Sequence, residues 1–125
     1  MCPLGYDRLF QFWDMHATFG RVLIRSLRGG DNKRNIDIIF HGVFYLEITL
    51  SLDGLRIEDA TPEEIEHLEK RVLIDHREGP GAQKYFALGT NSGRFFIGAF
   101  DFKVEENDFE AMETSLEVSY SVPHS

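Results

Sequence analysis

Apolar and polar residues alternate almost without interruption through residues 36–64, IDIIFHGVFYLEITLSLDGLRIEDATPEE. Successive side chains of a β-strand point to opposite faces of the sheet, so this period of two is typical of half-buried antiparallel strands. The polar side chains of the stretch, such as Glu47, Thr49 and Ser51, form no recognisable catalytic set. The stretch therefore predicts a β-rich fold and leaves the function to be sought elsewhere in the chain.

The sharpest local signal is a helix start at the end of this stretch. Thr61 can act as the N-cap, Pro62 suits the first helical position, and Glu64 completes a capping box in which two side chains bind otherwise unpaired amides. Apolar residues then recur at helical spacing. We therefore expect one short amphipathic helix, near residues 61–71, that leans on the sheet.

Turn-forming residues divide the strands on the N-terminal side of this helix. A cluster of glycine, aspartate and asparagine predicts a hairpin between strands at residues 19–28 and 35–41. Gly42 interrupts the pattern without a turn cluster, which favours a bend or bulge where the chain continues in the sheet. Asp53 followed by Gly54 predicts a second hairpin turn.

The rest of the chain completes the predicted fold. Residues 84–88 and 94–104 are predicted to pair as a hairpin, and residues 116–122 alternate as a last strand. Apolar residues at mixed spacing in residues 4–17 favour neither a helix nor a strand. We expect residues 1–125 to form a single α+β domain. It would contain a bent antiparallel sheet of six to eight strands, as a sandwich or open barrel, with one short helix.

Aromatic residues dominate the expected core. The chain has 11 phenylalanines among 125 residues, and each buried ring removes roughly 150–250 Å² from water. A packed core is the simpler interpretation. The alternative is a Phe-lined cavity for a small apolar ligand or substrate, which would also need a mouth and polar anchors.

Charge is unevenly distributed along the chain. The formal net charge is −8, yet residues 1–34 carry six Lys and Arg against three acidic residues. The acidic excess lies mostly in residues 58–69 and 105–117, and an acidic surface disfavours nucleic acid as a partner. It can attract a basic protein, and the candidate binding residues are Glu63, Glu66 and Glu69. The alternative is that this charge only maintains solubility.

Histidines offer a second set of candidate binding residues. Asp14 and His16 would share one face of a strand, and a site that joins them to His41 is conceivable. Metal sites require a closed set of converging ligands, however, and the five histidines of the chain are scattered. No metal and no cofactor is expected.

Enzymatic signatures are absent from the sequence. Cys2 is too close to the start of the chain to be held against a catalytic base, and no G-x-S-x-G, P-loop or dinucleotide fingerprint occurs. Adjacent carboxylates are common in an acidic chain and are usually solvated rather than catalytic. These features favour a protein that is not an enzyme.

Location and assembly can also be predicted. Cys2 is the only cysteine, so no intrachain disulfide can form, and neither a secretion signal nor a membrane span is recognisable. We expect a cytoplasmic protein. The exposed-edge character of residues 116–122 further predicts a homodimer.

Residues 12–16, Phe-Trp-Asp-Met-His, are followed by a strand and then by residues 40–43, Phe-His-Gly-Val. This arrangement resembles small bacterial β-rich domains that open with a Phe-His-Asp type segment, some of which are regarded as immunity proteins of toxin systems. Trp13 stands where those openings usually carry histidine. The resemblance covers about the first third of the chain and implies a regulatory, immunity-type protein, without assigning a role to any residue.

Overall fold

The architecture comes from a computed structural model that describes residues 4–16, 20–29, 34–71 and 84–107. Within these residues the elements are β1 (Leu4–His16), β2 (Arg21–Ser26), β3 (Asn35–His41), β4 (Tyr45–Glu47), β5 (Ser51–Asp59), α1 (Pro62–Glu69), β6 (Lys84–Thr90), β7 (Gly93–Ala99) and β8 (Asp101–Asn107). The predicted α+β class, mostly antiparallel sheet with one short helix, is confirmed for this part of the chain.

All of these strands belong to one antiparallel sheet, in the order β4-β7-β6-β5-β1-β2-β3-β8. The end strands β4 and β8 are not hydrogen-bonded to each other. However, β4 follows β3 along the chain and β8 follows β7, while β3 pairs with β8 and β4 pairs with β7. The segment at residues 35–47 is therefore paired with the segment at residues 93–107 both before and after the bend in each segment. This pairing requires the sheet to curl strongly.

Gly42 and Phe100 form the bend between these halves. Gly42 has a φ of +66°, in the left-handed region that favours glycine, and a Cβ at this position would overlap the ring of Phe100. The amide of Phe100 donates to the carbonyl of His41 at 2.9 Å, and the amide of Phe44 donates to Gly98 at 2.9 Å. Pairing thus continues through the bend, and the bend predicted at Gly42 is confirmed.

The main core lies on the inner face of the curled sheet. Phe40, Phe86 and Phe102 pack against one another with ring centroids 5.3, 5.4 and 5.9 Å apart, which is usual for aromatic pairs. The other buried members come from six different strands and are Phe10, Val22, Ile24, Ile36, Ile38, Leu52, Leu55, Ile57, Leu88, Ile97 and Ala99. Aromatic rings supply much of the core, as the composition predicted.

Helix α1 begins at the predicted capping box and packs on the outer face of the sheet. The amide of Glu64 donates to the Thr61 hydroxyl at 3.1 Å, and the amide of Thr61 donates to the Glu64 carboxylate at 2.9 Å. Leu68 is the buried residue of the helix. It packs with Ile65 in a second cluster whose other members are Phe44, Tyr45, Ala60, Tyr85, Ala87 and Phe96.

β1 (Leu4–His16) is a strand of 13 residues, although the spacing of its apolar residues favours neither strand nor helix. Its pairing with β5 shifts register between Tyr6 and Leu9, and its pairing with β2 shifts between Phe12 and Asp14. Tyr6, Phe10 and Phe12 all contact the inner core on both sides of the first irregularity, so β1 keeps an inward face there and continues as a strand through both irregularities.

Two local predictions are wrong, namely the hairpin turn at residues 53–54 and the single unbroken strand at residues 94–104. Asp53 and Gly54 lie inside β5 rather than in a hairpin turn, because Gly54, with a φ of +72°, adjoins an irregularity in the pairing with β1. Unbroken alternation would place Phe96 and Phe102 on one face. The break at Phe100 instead leaves Phe96 beside α1 and Phe102 against the inner core.

Candidate functional site

Arg94 fastens the start of α1 to the sheet. From β7, its Nε and Nη2 donate to the two carboxylate oxygens of Glu64 at 2.6 and 2.9 Å, and its Nη1 donates to Glu58 on β5 at 2.7 Å. A two-point contact of this kind fixes the relative orientation of guanidinium and carboxylate. Because Glu64 also caps the helix, this contact positions α1 on the sheet.

The same contacts change the acidity of the groups involved. The hydrogen bonds from Arg94 hold the pKa of Glu64 at about 2, well below the ordinary 4.5, although burial acts in the opposite direction. The hydrogen bonds to Glu64 and then Glu58 raise the pKa of Arg94 above its ordinary value. A carboxylate with so low a pKa is a poor proton acceptor near neutrality, so Glu64 is suited to holding structure rather than to acid–base catalysis.

A groove of about 320 Å³ opens beside α1. We call it the helix groove, and its lining residues are Glu47, Glu63, Glu64, His67, Leu68, Arg71 and Phe96. Leu68 is buried and Phe96 is half-buried, whereas Glu63 and His67 are exposed. The groove therefore combines an apolar floor with a charged rim.

The carboxylates around α1 divide into two groups. Those of Glu58 and Glu64 are bound by Arg94. Four others accept no hydrogen bond or ion pair within the described part of the chain: Asp59, Glu63, Glu66 and Glu69. Of the three predicted binding residues, Glu63 lines the helix groove, Glu66 is exposed outside it, and Glu69 is half-buried.

Two lining residues of the helix groove, Glu47 and Arg71, form a hydrogen-bonded cluster with Tyr45. The Tyr45 hydroxyl donates to Oε1 of Glu47, and Arg71 Nη1 donates to the same oxygen at 2.9 Å. Burial, followed by the hydrogen bond to Glu47, raises the pKa of Tyr45, and the hydrogen bond with Tyr45 raises the pKa of Arg71. Arg71 therefore links the chain just beyond α1 to strand β4.

The second predicted set, Asp14, His16 and His41, is distributed over two strands. Asp14 Oδ1 accepts a hydrogen bond from the next backbone amide at 2.8 Å, and half-buried His16 pairs with Arg21 on β2. His41 lies on β3, with its Nδ1 3.3 Å from Oδ1 of Asp101. Among the described residues, no three His, Cys, Asp or Glu side chains come together as a metal site.

A buried ion pair joins β2 and β3. Nε and Nη2 of Arg25 donate to the two oxygens of Asp37 at 2.6 and 2.8 Å, and both side chains are fully buried. Asn107 donates to Asp37 at 2.8 Å, Asn35 donates to Asn107 at 3.0 Å, and the guanidinium lies 5.3 Å from the centre of the Trp13 ring. This network connects β1, β2, β3 and β8, so we assign it to the fold rather than to a ligand site.

The second acidic stretch, residues 105–117, is described only as far as Asn107. In this portion Glu105 forms an ion pair with Lys103 at 2.9 Å, and both side chains are partly exposed. The helix groove is thus the acidic surface for which the structure gives side-chain geometry.

Comparisons with protein-family models, curated proteins and solved structures find no match to this chain. None of the helices in the described residues has the length and apolar character needed to cross a membrane. The case for a function consequently depends on the geometry of the groove and its charges.

Sequence reasoning missed Glu47, Arg71 and Phe96, which line the helix groove. It also missed Tyr45 and Arg94, which bind carboxylates of that groove. Glu47 and Phe96 are opposite each other where β4 pairs with β7, a contact between distant parts of the chain that no local pattern reports. Arg94 carried one signal, because it is a cation at the start of a strand in the acidic part of the sequence.

Proposed function

We propose that this protein is a non-enzymatic, immunity-type binding protein whose helix groove receives a basic segment of a partner protein. One observation carries the proposal: the groove places the apolar side chains of Leu68 and Phe96 beside the carboxylate of Glu63, which none of the described residues binds. Lysine and arginine have an apolar stem and a cationic end, so they can use both parts of such a groove.

Electrostatics favour the same kind of partner. The residues of α1, its flanks and the groove include three bases, Lys70, Arg71 and Arg94, against seven acids, which are Glu47, Glu58, Asp59, Glu63, Glu64, Glu66 and Glu69. A local excess of one sign steers an oppositely charged partner and raises its association rate. Because Arg94 already holds α1 in place, binding would not need to order the helix.

The interior of the sheet gives less support to the alternative, a small-ligand protein or enzyme with a Phe-lined cavity. Phe40, Phe86 and Phe102 are in mutual ring contact there. A ligand cavity would need open volume between such rings and a polar anchor facing it. We therefore favour the surface groove over the interior.

The test is a selection of peptides from a random 12-residue phage-displayed library against the purified protein. Wild type should enrich peptides rich in Arg and Lys. The synthesised peptides should bind roughly tenfold or more weakly when Glu63, Glu66 and Glu69 are all replaced by Lys, and more weakly still as salt is raised.

A matched control distinguishes the groove from net charge. The triple variant Asp7→Lys, Asp53→Lys and Glu106→Lys changes the net charge by the same amount on exposed positions of β1, β5 and β8. It should retain most of the affinity. Selection of peptides without basic residues, or equal loss in both triple variants, would overturn the proposal.

The proposal includes a reducing cytoplasm as the compartment, because a chain whose only cysteine is Cys2 does not use an intrachain disulfide. Homodimerisation remains a separate prediction, since residues 116–122 lie outside the described residues. Light scattering that shows only monomer at high concentration would contradict it.

A further inference from the structure

Arg71 is a cation of this chain that already binds inside the proposed groove. Its amide donates to the carbonyl of Leu68 at 2.9 Å, so its backbone is held next to the end of α1. From there its side chain reaches Glu47 on β4, and it remains 51% exposed while bound. The side chain of Arg71 thus shows that the groove can bind a guanidinium group through the carboxylate of Glu47.

The receiving groups are well suited to a guanidinium. Glu47 supplies a carboxylate oxygen, which Tyr45 orients by donating its hydroxyl proton to that oxygen. Phe96 is the cross-strand partner of Glu47, and its ring also lines the groove, where the flat face of an arginine can stack. A lysine ammonium would lack both the planar fork and the stacking surface.

The contact with Arg71 is also easy to exchange. Glu47 is 40% exposed and Arg71 remains in solvent on one side, and ion pairs in such positions hold their partners weakly. A partner arginine that adds contacts with Phe96 and Glu63 can therefore displace the internal one.

We propose that Tyr45 and Glu47 form an arginine-binding subsite of the helix groove, occupied by Arg71 in the free protein and by a partner's arginine in the complex. Arg71 is then an internal competitor that lowers the affinity for weak basic ligands. The inference rests on the proposed function for the identity of the partner, although the subsite itself can be tested without one.

The experiment is an NMR titration of the full chain with N-acetylarginine amide, which reports the dissociation constant and the amides that shift. Arg71→Ala should bind the probe about two- to fivefold more tightly than wild type, because an exposed competing ion pair has been removed. The shifts should centre on β4 and β7. N-acetyllysine amide should gain less.

Two controls make the result specific. Lys70→Ala removes the same charge from the neighbouring exposed residue, whose side chain makes no hydrogen bond or ion pair with the described residues, and it should behave like wild type. Adding Glu47→Gln to Arg71→Ala should abolish the gain. Equal affinities for Arg71→Ala and Lys70→Ala, or a gain that survives Glu47→Gln, would overturn the subsite.

The inference and the proposed function fail in distinguishable ways. If basic peptides are selected but Arg71→Ala and Lys70→Ala bind the arginine probe equally, the function stands and the subsite is wrong. If no basic peptide is selected while Arg71→Ala binds the probe through Glu47, the subsite stands and the protein partner is wrong.

Discussion

Replacing Glu64 by Gln tests whether the contact with Arg94 fixes α1 to the sheet. A fall in pKa from 4.5 to about 2 corresponds to about 3 kcal/mol of preference for the folded state with Glu64 ionised. Glu64 and Arg94 are 24% and 33% exposed, so solvent screening reduces the expected loss to about 1–2 kcal/mol at pH 7. Gln retains an oxygen that can accept from the Thr61 amide, so the loss reports the ion pair rather than the cap.

The assay is urea unfolding between pH 7 and pH 3. The control is Glu66→Gln, at an exposed carboxylate of the same helix that accepts no hydrogen bond or ion pair from the described residues. The folded pKa of Glu64 is depressed, so its contribution is complete above pH 4.5 and declines as the pH falls toward 2. The deficit of Glu64→Gln should therefore shrink between pH 5 and pH 3. A deficit no larger than that of Glu66→Gln at pH 7, or one unchanged at pH 3, would refute the reasoning.

Three further substitutions can be measured by the same unfolding assay. Gly42→Ala should cost about 2–4 kcal/mol of folding stability, because φ is positive and the new methyl group would overlap a phenylalanine ring. In the control Gly5→Ala the new methyl group meets no atom within 4 Å, so stability should change by less than about 1 kcal/mol. Equal effects of the two substitutions would contradict this prediction. Arg25→Met should cost about 3–5 kcal/mol by leaving Asp37 charged and buried, and adding Asp37→Leu should restore part of the loss; a double variant less stable than the single one would argue against it. Thr61→Ala should cost about 1 kcal/mol through the lost N-cap, and no change would mean that the cap is redundant.

The parts of the fold that could be predicted depend on residues close together in the chain. The capping box at Thr61 and Glu64 is satisfied by amides three residues away, so its signal survives whatever else packs around it. The pairing of β2 with β3 likewise joins segments that are close together in the chain. Gly42 was recognisable as a bend because an isolated glycine in a strand needs a special reason.

The errors occur where pairing between distant segments determines the local conformation. Asp53 and Gly54 have the composition of a tight turn, yet β5 continues through them because β1 and β6 pair on either side. Phe96 and Phe102 lie on different faces because the strand breaks at Phe100, where the amide of Phe100 donates to the carbonyl of His41 at the bend. Neither effect is encoded within a short window of sequence.

The candidate site shows why an acidic stretch cannot be interpreted from its charge count alone. Arg94 returns from β7 to bind Glu58 and Glu64, and Arg71 crosses to bind Glu47. These two arginines bind three carboxylates of the region, whereas the side chains of the other four accept no hydrogen bond or ion pair from the described residues. Bound carboxylates attract a partner less than unbound ones, because a nearby cation offsets their field. Under the proposed function, the acidic surface that a partner meets is set by which arginines the sheet brings to α1. Arg71 is the more exposed of the two, so the proposal makes it the one that a partner's arginine replaces.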